Sequence, residues 1–472
     1  MQKHLPFWIL TLALLCALIL PTLFEDGMFM DGLLYASVAK NLSEGIGTFW
    51  FPHFSKTLHS FFDQQPPLGF GIQALFFSAF GNGIYVERGY SFLTAILNAV
   101  LIVLMWRSVF ENDAEKKGLA WLPIILWITV PVCFWAFSNN VMENTMSVFD
   151  LIAVLLTIRF LKSNSYLMLA GAGIFILLAG LTKGIQGLFP LAVVFAWWIC
   201  YKNISAKKML ANTMLLILIP SILLILLLQN DSAYESLSAY LHNRVLNSIQ
   251  HVDNGDGRFY LLGRLVSELL PMILFALIVI LAARQKKIPA SISAAMWKNS
   301  LFFLLIGIAA SFPLMITLEQ RGFYLATSLP YFALVAAIIT APILSLLVEK
   351  INIHSIGFTI FRTIAPFLLI SVLLISTMHT GGFSRDKTAI EDVHLIGKIV
   401  PRGSVVGASY DLWSQWSFQE YLIRHYYICI DNKITTDNEF VVLETGTQAS
   451  DSIQLKKINI PTTRFHLYQK TK

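Results

Sequence analysis

Three carboxylates and a small set of cations stand where this chain could do chemistry. Asp26 and Asp31 fall in FEDGMFMDGLLYASVAKNLSEG, residues 24–45, directly after the apolar run FWILTLALLCALILPTL. Glu143 falls in SNNVMENTM and Lys183 in LAGLTKGIQGLFPL, each between apolar runs. Arg244, Arg258 and Arg264 lie in or beside YLHNRVLNSIQHVDNGDGRFYLLGR, and Arg321 lies in LEQRGFYLATSLPYF. A carboxylate facing a cavity can act as a general base. Guanidinium groups suit phosphate because their planar fork gives paired hydrogen bonds. Each residue also has a plainer reading. Asp31 before GLLYASVAKNL could cap that helix, and Asp26 could be a membrane-edge charge. Lys183 could snorkel to headgroups or bind an anionic headgroup in the membrane plane. Glu143 could be solvated or face the same cavity as Asp31. His53, His59 and His251 do not make a metal motif and read as polar loop residues.

The elements that must hold these residues follow from composition. The chain has 472 residues, 56% hydrophobic and only 13% charged, with mean hydropathy +0.66. Soluble domains are about one-quarter charged, so this is a polytopic membrane protein. The net charge of +6 sits in short loops between apolar runs. It reports orientation in the bilayer and not a nucleic-acid partner. Cys16, Cys133, Cys200 and Cys429 are scattered without metal or redox spacing, so neither a zinc site nor a disulfide framework is expected. The first apolar run lacks a small-x-small cleavage site and reads as a retained helix.

Spans are expected near 5–23, 84–106, 119–137, 142–161, 165–182, 184–201, 209–228, 265–283, 299–317, 323–347 and 356–378. That is about eleven helices, with 11–13 as the working range. With the N-terminus inside, Lys/Arg collect in the inner loops, and 24–83, 229–264 and everything after 379 fall outside. In the first outer loop, FDQQPPLGFGIQALFFSAFG opens on Pro66-Pro67 and continues as an apolar segment too short to span, which fits an interfacial helix. After about residue 379 the composition changes. GSVVGAS, YYICID and EFVVLE read as strands, with DLWSQWSFQEYLIRH a helix between the first two. The division expected is a membrane domain over 1–378 and a small α/β domain over 379–472 on the outer, extracytoplasmic side. That domain has no Gly-rich phosphate loop.

Taken in order, several stretches resemble the GT-C membrane glycosyltransferases, the superfamily of protein O-mannosyltransferases and the lipid A aminoarabinose transferase. MDGLLYASVAKNL is similar to that family's Asp-Glu-x-x-Tyr-Ala motif, with Tyr35 as its tyrosine. QQPPLGFGIQALFF, from Gln64, is similar to its Lys-Pro-Pro-Leu stretch and interfacial helix, and ERGYSFLTAIL to an Arg-bearing entry into the next span, here Arg88. LAGLTKGIQGLFPLAVV resembles its Leu-Thr-Lys-Gly segment, GRFYLLGRLVSELLP its later outer loop, and EQRGFYLATSLPYFAL its Arg-x-x-Tyr stretch, here Arg321.

The resemblance implies a polyprenyl-phosphate-linked sugar donor and inverting transfer to a lipid, glycan or protein acceptor at the outer face of a bacterial inner membrane. It places the catalytic aspartate on Asp31 and donor-phosphate cations on Lys183 and Arg258, with Arg244 of the same outer-loop cluster a further candidate for the phosphate. Asp26 and Glu143 are second carboxylates, and a divalent ion is left open with no metal ligands assigned. The family glutamate after the aspartate is Gly32 here, the arginine before the tyrosine is Leu34, and the Lys-Pro-Pro lysine is Gln65. The reaction class is therefore carried over and the sugar is not. Two other classes stand beside it: a transporter or flippase for a lipid-linked sugar, and a non-catalytic assembly protein. The first would show internal repeats and midplane ionisable residues; the second draws on the altered motif residues.

Overall fold

A computed structural model describes residues 2–247, 257, 259–288, 291–315, 320–435, 437–447 and 454–471. Among them, nine helices are long and apolar enough to cross a bilayer: Leu5–Phe24, Tyr85–Val109, Met142–Ser163, Tyr166–Tyr201, Ala206–Leu227, Tyr260–Gln285, Ala294–Met315, Leu329–Glu349 and Ile356–Met378. A further pair, Trp121–Ile128 and Pro131–Ser138, is bent by 80°. Pro131 opens the second half, where a helix cannot continue straight through the missing N–H. The protein is thus a multi-pass helical membrane protein. The count falls below eleven because 165–182 and 184–201 form one run. Gly184 and Pro190 in GIQGLFPLA mark not a loop but a stretch of 3₁₀ helix, Gly184–Ala192, that carries the chain on.

The chain divides into two compact units. One comprises Met1–Pro21, Ser91–Ser138 and Met142–Met378. Its central helices are covered: 78% of the Met142–Ser163 window and 72% of the Leu329–Glu349 window are buried, against 11% for Ile356–Met378. The exposed faces of the peripheral helices are Leu, Ile and Phe (Ile360, Phe367, Ile370 and Leu374 on the last), as lipid contact requires. Inside, apolar packing does not distinguish neighbours, so polar side chains supply specificity. Ser147 Oγ donates to Asn98 Oδ1 at 2.6 Å, Asn144 Nδ2 donates to the Ala136 carbonyl at 2.9 Å, and Ser91 Oγ donates to the Phe137 carbonyl at 2.6 Å. Asp150, within a span, is fully buried and neither carboxylate oxygen has a hydrogen-bond partner among the described residues.

The other unit comprises Thr22–Tyr90, Asn139–Val141 and His379–Lys472. Its sheet has β1 (Val405–Ala408), β2 (Cys429–Asp431), β3 (Phe440–Glu444), β4 (Leu455–Lys457) and β5 (Phe465–Lys470), in the order β2-β1-β3-β5-β4. β1 pairs in parallel with β2 and β3; β5 pairs antiparallel with β3 and β4. The first three strands and the helix Trp416–Tyr426 match the sequence reading, while β4, β5 and the helix Lys387–Gly397 add to it. Met28 and Leu33, from either side of Asp31, belong to the same apolar core as Ile390, Val393, Tyr421 and Leu422.

A buried ion pair ties this unit together. Arg424 Nη2 and Nε donate to Glu87 at 2.6 and 3.1 Å, and the guanidinium lies over the Phe77 ring at 5.0 Å. Both side chains are almost completely buried. Breaking one side of such a pair costs about 3–5 kcal/mol. Arg424→Met is therefore expected to destabilise the fold by that amount, read as a lowered unfolding midpoint in a thermal melt of the purified protein, and Glu87→Gln/Arg424→Met to recover most of it.

Candidate active site

Asp31 sits on the helix Met30–Ser43. It does not cap that helix: the N-cap is Phe29, with no side-chain cap bond, and Asp31 is the second helical residue. The capping reading is thereby corrected. A carboxylate in the first turn still gains from the positive end of the helix dipole, and Asp31 is half-buried. The segment ahead of it is fixed by backbone pairing. The Asp26 N–H donates to the Gly382 carbonyl and the Ser384 N–H to the Asp26 carbonyl, both at 2.8 Å. Tyr35 is buried with its ring 5.9 Å from Phe70, on the helix Leu68–Phe80 that Pro67 opens. Leu75 and Phe80 are exposed on that short helix, as an interfacial helix requires. Pro66 and Pro67 are buried, Gln65 is half-buried, and Gln64 donates to Asp63 at 2.8 Å.

Gly32, where the family has a glutamate, has a packing cause. A Cβ there would lie 1.9 Å from the Asn139 carbonyl oxygen. Asn139 Oδ1 accepts the Phe29 N–H at 2.9 Å, so this close approach fixes the start of the helix. No side chain fits at position 32 while that contact stands.

A second carboxyl that the sequence reading missed lies in electrostatic range of Asp31. Glu420, on the helix Trp416–Tyr426, is buried, and neither of its oxygens has a hydrogen-bond partner among the described residues. Burial first, then the charges of Asp31 and Asp386, push its pKa well above the usual carboxylate range, against Arg385, which lowers it. Folded protein therefore holds the Glu420 proton at pH values where unfolded chain has released it. Stability is full below about pH 4.3, the unfolded value for Glu, and falls as pH rises toward the folded value. Glu420→Gln should flatten that slope and raise the melting midpoint at neutral pH, read from melts across pH 4–8.

Asp26 is buried and its carboxylate faces several groups. Oδ1 accepts the Gly27 N–H at 2.7 Å and Arg88 Nη2 at 3.4 Å. Burial alone would raise its pKa; His394, His425, Arg88 and the Gly27 N–H outweigh it and hold the carboxyl below the usual range. It is thus a held ion and not a solvated edge charge. Arg88 also donates to the Glu25, Ile84 and Gly27 carbonyls and to Glu87, so its guanidinium clamps backbone.

In the other unit, Lys183 ends the helix Tyr166–Lys183 and is buried. It does not snorkel: Nζ pairs with the buried Glu143 carboxylate and lies 5.0 and 5.5 Å from the Tyr324 and Phe323 ring centroids. The two sequence candidates are therefore one ion pair. Arg321 itself is exposed just before the 3₁₀ turn Gly322–Thr327 that supplies those rings. Gly184 follows Lys183 with φ of +73°, and a Cβ there would lie 2.1 Å from the Tyr240 hydroxyl. Tyr240 begins the π-helical turn Tyr240–Leu246 that carries the half-buried Arg244, so the same fold element reaches the Lys183 helix end. Arg264 pairs with Glu268 at 2.6 Å, and Glu268 accepts the Val132 N–H at 3.0 Å. Arg258 and His251 lie outside the described residues.

Residues 64–227 match the family described as dolichyl-phosphate-mannose-protein mannosyltransferase. The fold is similar to ArnT from Cupriavidus metallidurans bound to undecaprenyl phosphate, at a TM-score of 0.63 and 12% identity, covering 98% of this chain and 96% of that one. The chain has the GT-C fold. ArnT in its apo state matches with the same score and identity, over 97% and 95% of the two chains. An oligosaccharyltransferase of Archaeoglobus fulgidus is similar at a TM-score of 0.50 and 14% identity, over 92% of this chain and 68% of that one. Functionally curated proteins give no match by sequence. The stretch that matches the mannosyltransferase family takes in Gln64, Gln65, Pro66, Pro67, Arg88, Glu143 and Lys183; Asp26 and Asp31 precede it and Arg244 and Arg321 follow it.

Proposed function

We propose that this protein is an inverting glycosyltransferase that moves a sugar from a polyprenyl phosphate to a lipid, glycan or protein acceptor. It acts at the outer face of a bacterial inner membrane, with the C-terminal α/β domain on that side. Asp31 takes the acceptor proton. The acceptor oxygen bonds to the anomeric carbon from the face opposite the phosphate, and the carbon–oxygen bond to phosphate breaks with its electron pair on the leaving lipid phosphate. Lys183 is the candidate to neutralise that phosphate, with Arg244 and Arg258 as further cations. In this reading the donor phosphate competes with Glu143 for the ammonium group.

The observation that carries the proposal is the placement of Asp31. Its carboxylate stands in a helix first turn it does not cap, between two residues buried in one core, in a chain with the GT-C fold. The test is acceptor-dependent release of polyprenyl phosphate from a panel of lipid-linked sugars in bilayer discs, with the anomer of the product read by NMR. Inverted product supports the reading; retained configuration sinks it. The buried Asp150 favours a lipid-linked sugar translocator as the second reading, since ionisable groups in spans mark transport paths. Movement of donor across the bilayer without any release of lipid phosphate would select it.

A further inference from the structure

Asp26, His394 and His425 form a cluster that the proposed transfer does not use. All three lie in the unit that holds the five-stranded sheet, and none shares a sequence motif with another. Asp26 follows the first span, His394 sits on the helix Lys387–Gly397, and His425 sits on the helix Trp416–Tyr426. One ligand-type atom from each lies within 4.8 Å of the other two.

The atoms that face inward are those a metal would take. His394 Nε2 and His425 Nε2 lie 3.7 and 3.8 Å from the same carboxylate oxygen, Asp26 Oδ2. These distances are too long for hydrogen bonds. Two ligands on one tetrahedral zinc, each at about 2.0–2.1 Å, stand about 3.3–3.4 Å apart, so a shift of a few tenths of an ångström brings each imidazole to ligand spacing from Asp26, and the two imidazoles, within 4.8 Å of each other, close toward the same spacing around the ion. The other Asp26 oxygen is already occupied by the Gly27 N–H and Arg88.

Two further observations point to a ligand. The His425 side chain is 93% buried by its 7% exposure, and its Nε2 has no hydrogen-bond partner among the described residues. A buried imidazole nitrogen left that way is costly unless something binds it. His394 Nδ1 is hydrogen-bonded to the Tyr426 hydroxyl at 2.9 Å, which turns Nε2 toward Asp26. A second partner on the far ring nitrogen is the usual mark of a metal-bound histidine.

From this geometry we infer that Asp26, His394 and His425 bind a divalent transition-metal ion of the zinc class through Oδ2 and the two Nε2 atoms. Two imidazoles and a carboxylate suit zinc, with a fourth position left for water or another ligand. The partly exposed His394 side chain gives the ion a way in. The ion would staple the segment five residues ahead of Asp31 to two helices of the C-terminal domain. The inference does not depend on the transfer reaction, because the ligands are read from this unit alone.

The test uses untagged full-length protein in bilayer discs, stripped with a chelator and dialysed. Zinc is added and counted by elemental analysis, and cobalt(II) is titrated in parallel while its visible absorption is followed. One zinc per chain and an intense tetrahedral-type cobalt band are expected. His394→Gln and His425→Leu should each lose stoichiometric binding, and Tyr426→Phe should weaken it about 10- to 100-fold. The wild-type cobalt spectrum is read without any variant, and His394, being partly exposed, is the substitution least able to disturb folding. Absence of stoichiometric zinc and of the band in wild type overturns the inference, as does binding that persists in both histidine variants.

Discussion

Asp31→Asn lowers sugar transfer by about 10²- to 10⁴-fold, the range that a positioned general base supplies. The substitution keeps shape and polarity and removes only the charge and the basicity. Asp31 is not among the buried core residues and asparagine keeps its size, so the fold should tolerate the change. The expected pattern is therefore a fall in kcat with polyprenyl phosphate binding retained, since the base acts on the acceptor and not on the lipid. Turnover at saturating donor and lipid binding measured separately check it. A variant that is folded and fully active would remove Asp31 from the mechanism.

Lys183→Met has two expected effects that a second substitution separates. It leaves Glu143 buried without its lysine, which costs about 3–5 kcal/mol of stability. It also removes the cation assigned to the leaving phosphate, a loss of about 10²- to 10³-fold in transfer by comparison with deleting one charge-stabilising donor. Glu143→Gln/Lys183→Met should restore most of the stability, because the buried carboxylate goes with its partner, while transfer stays low. Thermal melts and turnover of the same three preparations decide the matter. Recovery of both properties in the double variant would make Lys183–Glu143 a structural pair only.

The membrane architecture was legible because a bilayer imposes a length and an apolar composition on every span. The helix Leu68–Phe80 was legible for the same reason, as Pro66-Pro67 gives its start and its apolar run is too short to span. What local pattern could not carry were pairings across distance. Lys183 and Glu143 each looked like a membrane-edge charge, because nothing in either stretch names the other as its partner. Arg88 read only as an arginine at the entry to a span, whereas its donors go mainly to backbone carbonyls around Asp26. Gly32 read as a missing acid, whereas the Asn139 carbonyl leaves no room for a side chain there.

Some signals were present and unused. Phe465 and Leu467 alternate with half-buried residues along β5 in the pattern of a strand with one face in the core. Ala389, Ile390, Val393 and Ile396 are buried at helical spacing on Lys387–Gly397. His394 and His425 could not be joined from sequence, because they converge on Asp26 from two different helices.

The proposed transfer requires that the reacting sugar meet Asp31. A cryo-electron microscopy structure of the protein in lipid discs, with a polyprenyl phosphonate analogue of the donor whose sugar cannot leave, tests it most directly. The sugar is expected against the start of the helix Met30–Ser43, with the Asp31 carboxylate within hydrogen-bond reach of the space where an acceptor hydroxyl would approach the anomeric carbon. A well-bound analogue whose sugar lies elsewhere, with Asp31 turned to solvent, would contradict it.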